Sequence, residues 1–213
     1  MMDRFRDRAD AGRLLAALVC EHPVQRPVVL GLPRGGVPVA APIASALAAP
    51  LDVLIVRKLG VPSREEVAMG AIGENGARVL NDDVIASAHL STQQLEATER
   101  RERTELERRV RLLRAGRPPL RLRGRTALIV DDGIATGATA RAACRIARAL
   151  DASRVVLATP VAAPDSLPLL TEADEVICLR TPPGFMAVGM EYLDFRQTSD
   201  DEVLALLRLA GAA

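Results

Sequence analysis

An α/β fold built on a parallel sheet flanked by helices is the architecture that this 213-residue sequence predicts, and three observations predict it. Four apolar runs, residues 27–32, 51–57, 126–130 and 154–160, lack the polar alternation of a half-exposed strand, and residues 176–179 make a fifth. Runs that are apolar throughout suit strands covered on both faces. Helical segments separate most of them, as the crossovers of a parallel sheet require. A hydrophobic share of 49% supplies core enough for one domain spanning residues 1–213.

The bulk numbers exclude more than they name. A net charge of +1 announces neither a nucleic-acid nor a membrane partner. Cys20, Cys144 and Cys178 are far apart and sit in apolar or helical stretches, so they read as buried thiols of a reducing cytoplasm. His22 and His89 have no second ligand at metal spacing. The N-terminus alternates Asp and Arg, unlike the apolar core of a signal peptide. Residues 37–56 have the length of a membrane span but are interrupted by Pro38, Pro42, Pro50 and Asp52, so they read as a helix and then a strand. A cytoplasmic protein is expected.

Between the second and third runs lie two further elements. Residues 66–81 carry Gly70, Gly73 and Gly76 among aliphatics and read as a hairpin turning near Glu74-Asn75-Gly76. Residues 91–114 read as one long helix, opened by Ser91 with Gln94 as a capping box. Glu96 to Arg100, Glu99 to Arg103, Glu105 to Arg109 and Glu107 to Arg111 are steps of four along its surface. Its apolar stripe, including Leu95, Leu106, Val110 and Leu113, is thin. A solvated helix packed by one edge, a dimer contact and a nucleic-acid surface are its open readings. Residues 116–125, with Pro118 and Pro119, end the helix and lead to the next strand.

The chemistry concentrates in residues 127–141, ALIVDDGIATGATAR. Four apolar strand residues end in Asp131 and Asp132, followed by a small-residue loop and an Ala-rich helix. Ala135, Gly137 and Ala138 let backbone N–H groups approach an anion, Thr136 and Thr139 add hydroxyl donors, and the helix N-terminus adds its dipole. Charge-assisted hydrogen bonds contribute about 1.5–3 kcal/mol each, so a few suffice to hold a phosphomonoester. The two carboxylates would repel that phosphate, but they suit sugar hydroxyls further along the same ligand. Phosphate at the loop and a diol at Asp131 and Asp132 describe a ribose 5-phosphate. Neither the G-x-x-x-x-G-K-[ST] nor the G-x-G-x-x-G phosphate motif is present.

The string DDGIATGAT after an apolar strand resembles the signature of the type I phosphoribosyltransferases. That resemblance implies an enzyme that takes the 5-phosphoribosyl group from 5-phosphoribosyl-1-pyrophosphate (PRPP) to a nitrogenous base, with Mg²⁺ neutralising the pyrophosphate. It implies that Ala135, Thr136, Gly137, Ala138 and Thr139 hold the 5-phosphate, and that Asp131 and Asp132 hold the ribose and, through water, the metal. Gly133 departs from the signature, which usually carries an apolar residue or Ser there, and is expected to loosen the loop. Ala135 stands where the hypoxanthine–guanine enzymes carry Asp, which leaves adenine-like or orotate-like variants closer.

By the same resemblance, residues 31–40 (GLPRGGVPVA) form a pyrophosphate loop through Arg34, Gly35 and Gly36, joined by Arg57 and Lys58 at the next strand end, with Lys58 among the catalytic residues. Residues 59–69 are then the candidate mobile loop, within a loop-and-hairpin segment 59–80, because an oxocarbenium-like centre must be shielded from water. Glu65 and Glu66 face either the base or solvent. Phe185, Tyr192 and Phe195 concentrate the few aromatics near the C-terminus, either as a cap on the core or as a hood in which Phe185 and Tyr192 stack on the base. The terminal segments 1–26 and 180–213 are expected to contribute to such a hood, and a homodimer is expected. The rival reading is a non-catalytic PRPP-binding regulator that uses the Arg-rich residues 108–125 on nucleic acid, since fold does not fix function. Hydrolysis of a sugar phosphate is a third.

Overall fold

The computed structural model of the chain describes residues 4–62 and 64–211. After helix α1 (Arg8–Cys20) comes strand β1 (Pro27–Gly31), then helix α2 (Gly36–Ala46) and the short β2 (Leu51–Val53). β3 (Val56–Val61), β4 (Arg64–Gly73) and β5 (Arg78–Leu80) follow, then α3 (Asp82–Ser87) and the long α4 (Thr92–Arg114). β6 (Thr126–Val130), α5 (Ala138–Ala149), β7 (Arg154–Val161), β8 (Glu175–Arg180) and α6 (Asp200–Gly211) complete the order.

Two sheets result. The larger has five strands in the order β2-β1-β6-β7-β8, every neighbouring pair parallel. Its continuous apolar runs supply both faces: Val29, Leu128, Val130 and Val156 join α1, α2 and α6 on one side. Val28, Leu30, Ile129 and Leu157 join α5 on the other. Fully burying such a side chain stabilises by about 1.5–3 kcal/mol, which is why no polar alternation survives in these strands. α1 and α2 approach closely: a Cβ on Gly12 would lie 2.5 Å from the Val39 carbonyl oxygen.

The smaller sheet, β3-β4-β5, is antiparallel, and it corrects the reading of residues 51–57 as one strand. Leu51–Val53 pairs with β1, whereas Val56 and Arg57 begin β3 opposite Gly73 and Ile72 of β4. The expected loop segment thus contributes residues 59–61 and 64–69 to the arms of a hairpin with register shifts beside Gly60; Ser63 and the Glu66 side chain lie outside the described residues. The second hairpin turns at Glu74–Gly76 as its residues predict, with Asn75 and Gly76 both at positive φ. α4 starts one residue after Ser91, whose hydroxyl accepts from the Gln94 N–H while the Gln94 side chain accepts from the Ser91 N–H.

A buried ion cluster fastens the two sheets together. Arg114, in the last turn of α4, donates to Asp52 of β2 and to both carboxylate oxygens of Glu74 at the hairpin turn. Asp52 also accepts the Leu120 N–H at 2.9 Å, which anchors the Pro118-Pro119 linker. Of the cysteines, Cys144 is buried and Cys178 half-buried, but Cys20 is exposed, contrary to expectation, because it ends α1 on the solvent side. Among the described residues, no helix is long and apolar enough to cross a membrane.

Candidate functional site

The parallel register places Gly31, at the end of β1, beside Val130, at the end of β6. The loops that follow therefore leave the same sheet edge together, where open α/β sheets hold ligands. The Leu32 N–H donates to the Val130 carbonyl at 2.9 Å, and the Pro33–Arg34 peptide is cis. Two glycines let the first loop lie flat on the second: a Cβ on Gly36 would stand 2.4 Å from Val130 O, and one on Gly35 would stand 1.9 Å from an Asp132 carboxylate oxygen. Asp131 and Asp132 thus emerge into a turn already crowded by backbone.

These two carboxylates differ in their partners. Asp132 Oδ2 accepts from Arg8 Nε at 2.7 Å, and its backbone carbonyl accepts from the Tyr192 hydroxyl at 2.6 Å. Asp131 Oδ1 accepts the Asp132 N–H at 2.9 Å. Protein packed around Asp131 withholds water from its carboxyl although the residue keeps an exposed edge, and the neighbouring Asp132 charge adds to the effect, so its pKa is pushed up to about 8. Burial likewise raises the Tyr192 phenol, which stays a neutral donor.

Beyond the acidic turn, Ile134 is pinned by backbone bonds on both sides, to Val161 O at 2.9 Å and from Ala163 N at 2.8 Å. Gly137 caps α5 at φ 74°, a conformation that favours glycine. Asp131, Gly133, Ala135, Thr136, Gly137, Ala138 and Thr139 line a cavity of about 190 Å³ at this helix N-terminus. Thr139 also lines a second cavity of about 360 Å³, bounded by Leu32, Pro33, Arg57 and Lys58. Two further cations enter it from α4, Arg101 and Arg109, facing Glu65 and Glu102. Glu102, only 8% exposed, accepts from Arg57 and from Arg101. The expected phosphate residues and the basic pair of β3 therefore meet at Thr139, with Asp131 lining the first cavity only.

Comparison with known proteins bears on what such an edge is for. The profile of the phosphoribosyl transferase domain matches residues 4–185. The chain belongs to that phosphoribosyl transferase domain family. Two Mycobacterium tuberculosis proteins, from strains CDC 1551 and H37Rv, carry provisional phosphoribosyl transferase names and are each 56% identical over 207 residues, 97% of this chain. The chain spans 47% of their length, so about half of each relative lies outside the match. The crystal structure of TT1426 from Thermus thermophilus is 43% identical, covers 96% of this chain and 97% of its own, and superposes with a TM-score of 0.90.

Against the residues that the phosphoribosyl transferase resemblance implied, the structure redistributes several. Arg34 turns towards α6, with Nη1 3.9 Å from Asp200, while Arg57 and Lys58 line the larger cavity. Tyr192 is 3% exposed and its ring packs between Phe5 and Phe195, with centroids 5.3 and 5.0 Å away, so it offers no free face to a base; this corrects the stacking role. Phe185 is half-buried against the same cluster. Gly133 does not loosen the loop: Val188 covers it so closely that a Cβ there would lie 2.3 Å from Val188 Cγ1. Of the terminal segments, α1 and α6 pack against α2, whereas Phe5 to Arg8 and residues 188–195 meet over the acidic turn. Sequence reasoning missed Arg8, Arg101, Arg109 and Glu102; the alternation of charge around each of them carries no sign of which one turns inward.

Proposed function

We propose that the chain is a phosphoribosyltransferase that moves the 5-phosphoribosyl group of PRPP to the nitrogen of a base and releases pyrophosphate. One observation carries this reading: two cavities share Thr139, one built as a helix-capping phosphate cradle and the other lined by cations, with Asp131 at the first. PRPP has the same order of parts, a 5-phosphate, a diol-bearing ring and a diphosphate. In this assignment residues 135–139 hold the 5-phosphate through backbone N–H groups and the helix dipole. Asp131 and Asp132 accept from the ribose hydroxyls; Asp132 does so with one oxygen already fixed by Arg8. Arg57 and Lys58 hold the diphosphate, whose bond to the anomeric carbon breaks as the base nitrogen donates its lone pair to form the new bond.

Mg²⁺ fits as an ion carried by substrate. No cluster of three or more His, Cys, Asp or Glu side chains able to hold a metal occurs among the described residues, and Mg²⁺ typically binds through one or two carboxylates, waters and substrate phosphates. Asp131 and Asp132 would hold it through water, and the ion would neutralise charge on the leaving diphosphate. The acceptor is a planar nitrogenous base, covered from the side of Phe185 rather than Tyr192. Release of pyrophosphate from PRPP and Mg²⁺, measured with a panel of purines and pyrimidines, tests the reading. Turnover with one base supports it; tight PRPP binding with no release for any base would make the chain a non-catalytic binder, and release without a base would make it a hydrolase.

A further inference from the structure

We propose that helix α4 belongs to the anion site: Arg101 and Arg109 supply further contacts to a diphosphate in the cavity bounded by Arg57 and Lys58, an inference that rests on the reading above. The sequence of α4 gives no hint of this, since its Glu and Arg residues at spacings of three and four look like a solvated surface.

The cavity, rather than burial, sets these arginines apart. Arg101 and Arg109, whose side chains are 64% and 34% exposed, line it together with Pro33 of the first loop and Thr139 of the second, whereas Arg100, 69% exposed beside Glu96, does not line it. The two arginines are eight residues apart, slightly more than two helical turns, so they stand on neighbouring faces about 12 Å apart along the axis. Such long side chains can close on one ligand from both ends.

The charge at this wall is unbalanced. Among the described residues, four cations, Arg57, Lys58, Arg101 and Arg109, line the cavity against two carboxylates, Glu65 and Glu102. Glu102 is divided between Arg57 and Arg101, with Nε distances of 2.8 and 3.2 Å. Arg109 shares Glu105 with Arg108, at 2.9 and 2.8 Å. Each guanidinium offers five N–H donors in a planar fork, and a carboxylate divided between two of them leaves donors for a second anion. A diphosphate, with several negative charges on adjacent tetrahedral groups, matches both the excess charge and the fork geometry. A single phosphate would reach only one end of such a wall.

Calorimetric titration with inorganic pyrophosphate, PRPP and ribose 5-phosphate, each with Mg²⁺, tests this on the wild type and on Arg101→Gln, Arg109→Gln and Arg100→Gln. Arg101→Gln and Arg109→Gln should each weaken pyrophosphate and PRPP about tenfold, as expected for loss of one charge-assisted contact at a partly exposed site. Ribose 5-phosphate should change by less than about twofold, and Arg100→Gln should behave as wild type, because a long-range field is screened within about 10 Å at 0.1 M salt. Unchanged pyrophosphate affinity in both cavity-lining variants, or an equal loss in Arg100→Gln, would overturn the contact while leaving the PRPP reading in place. Binding of ribose 5-phosphate without pyrophosphate by the wild type would overturn it too. Failure of all three ligands to bind the wild type would instead remove the PRPP reading itself, and this inference with it.

Discussion

Asp131 and Asp132 are neighbours in the chain and opposites in their surroundings. Arg8 neutralises Asp132 across 124 positions of sequence, whereas Asp131 faces the Asp132 charge in a place with little water. An acid whose folded pKa rises from 3.8 to about 8 binds its proton more tightly in the folded chain than in the unfolded one. Its contribution to stability is therefore fully present below about pH 4 and is lost as pH rises towards 8. Replacing Asp131 with Asn removes that dependence while keeping the shape of the side chain. Thermal melts from pH 4 to 8.5 should show the wild type losing ground to Asp131→Asn as pH rises; parallel curves would mean that the carboxyl is ionised throughout. Arg8 could not be singled out from the sequence. It sits in a run where Asp and Arg alternate, and only the docking of α1 against α2, β7 and β8 decides which arginine meets the acidic turn.

At the scale of elements, the terminal segments act as a brace on that turn. The Tyr192 hydroxyl holds the Asp132 carbonyl, the Phe5 N–H donates to Glu191 O at 2.9 Å, and Val188 lies on Gly133. The missing side chain at 133 is thus a packing requirement of the brace. Gly133→Ala should cost about 1–3 kcal/mol through overpacking, and Val188→Ala introduced beside it should recover much of the loss, because residues in contact couple. Urea denaturation of the two single variants and the double variant measures that coupling; simple additivity would mean that the loop relaxes independently of residues 188–191. Tyr192→Phe keeps the packed ring and should cost about 0.5–1.5 kcal/mol by loss of one hydrogen bond, with similar small effects on PRPP and nucleotide binding. A selective loss of nucleotide binding would instead show that the hydroxyl, through the Asp132 carbonyl, positions the nucleotide. The strand ends, the small-residue turn that opens α5 and the capped start of α4 were legible in the residues because each is a local pattern. The break between β2 and β3 was not, since Leu54 and Ile55 are as apolar as the strands that they separate and carry no Gly or Pro to mark the change of sheet.

For the molecule as a whole, the question is what keeps a three-stranded sheet carrying Arg57 and Lys58 in register with a five-stranded sheet carrying the acidic turn. Apolar packing of α5 against both sheets supplies much of the answer, since the helix contacts β3, β4 and β5 of the smaller sheet and β6 and β7 of the larger, with Ile146 and Ala147 in the shared apolar cluster. Hydrophobic contact is not directional, however, and the hairpin could slide on it. The Arg114 cluster is directional: one guanidinium spans Asp52 in the larger sheet, Glu74 at the turn between β4 and β5 of the smaller, and the Val53 carbonyl at 3.0 Å. Its members are between 4% and 9% exposed, so removing the cation leaves two carboxylates facing each other in protein. Breaking a buried pair in this way costs about 3–5 kcal/mol. Arg114→Met, which preserves the length of the apolar stem, should therefore lower stability by about that amount in urea denaturation. Arg114→Lys should recover little, because a single ammonium cannot reproduce a fork that reaches two carboxylates and a carbonyl. If the cluster also sets the distance between the sheets, both variants should weaken pyrophosphate more than ribose 5-phosphate under conditions where they remain folded, since only the diphosphate end depends on β3. A destabilisation below about 1 kcal/mol, the range of an exposed ion pair, would show that α5 alone holds the sheets in place.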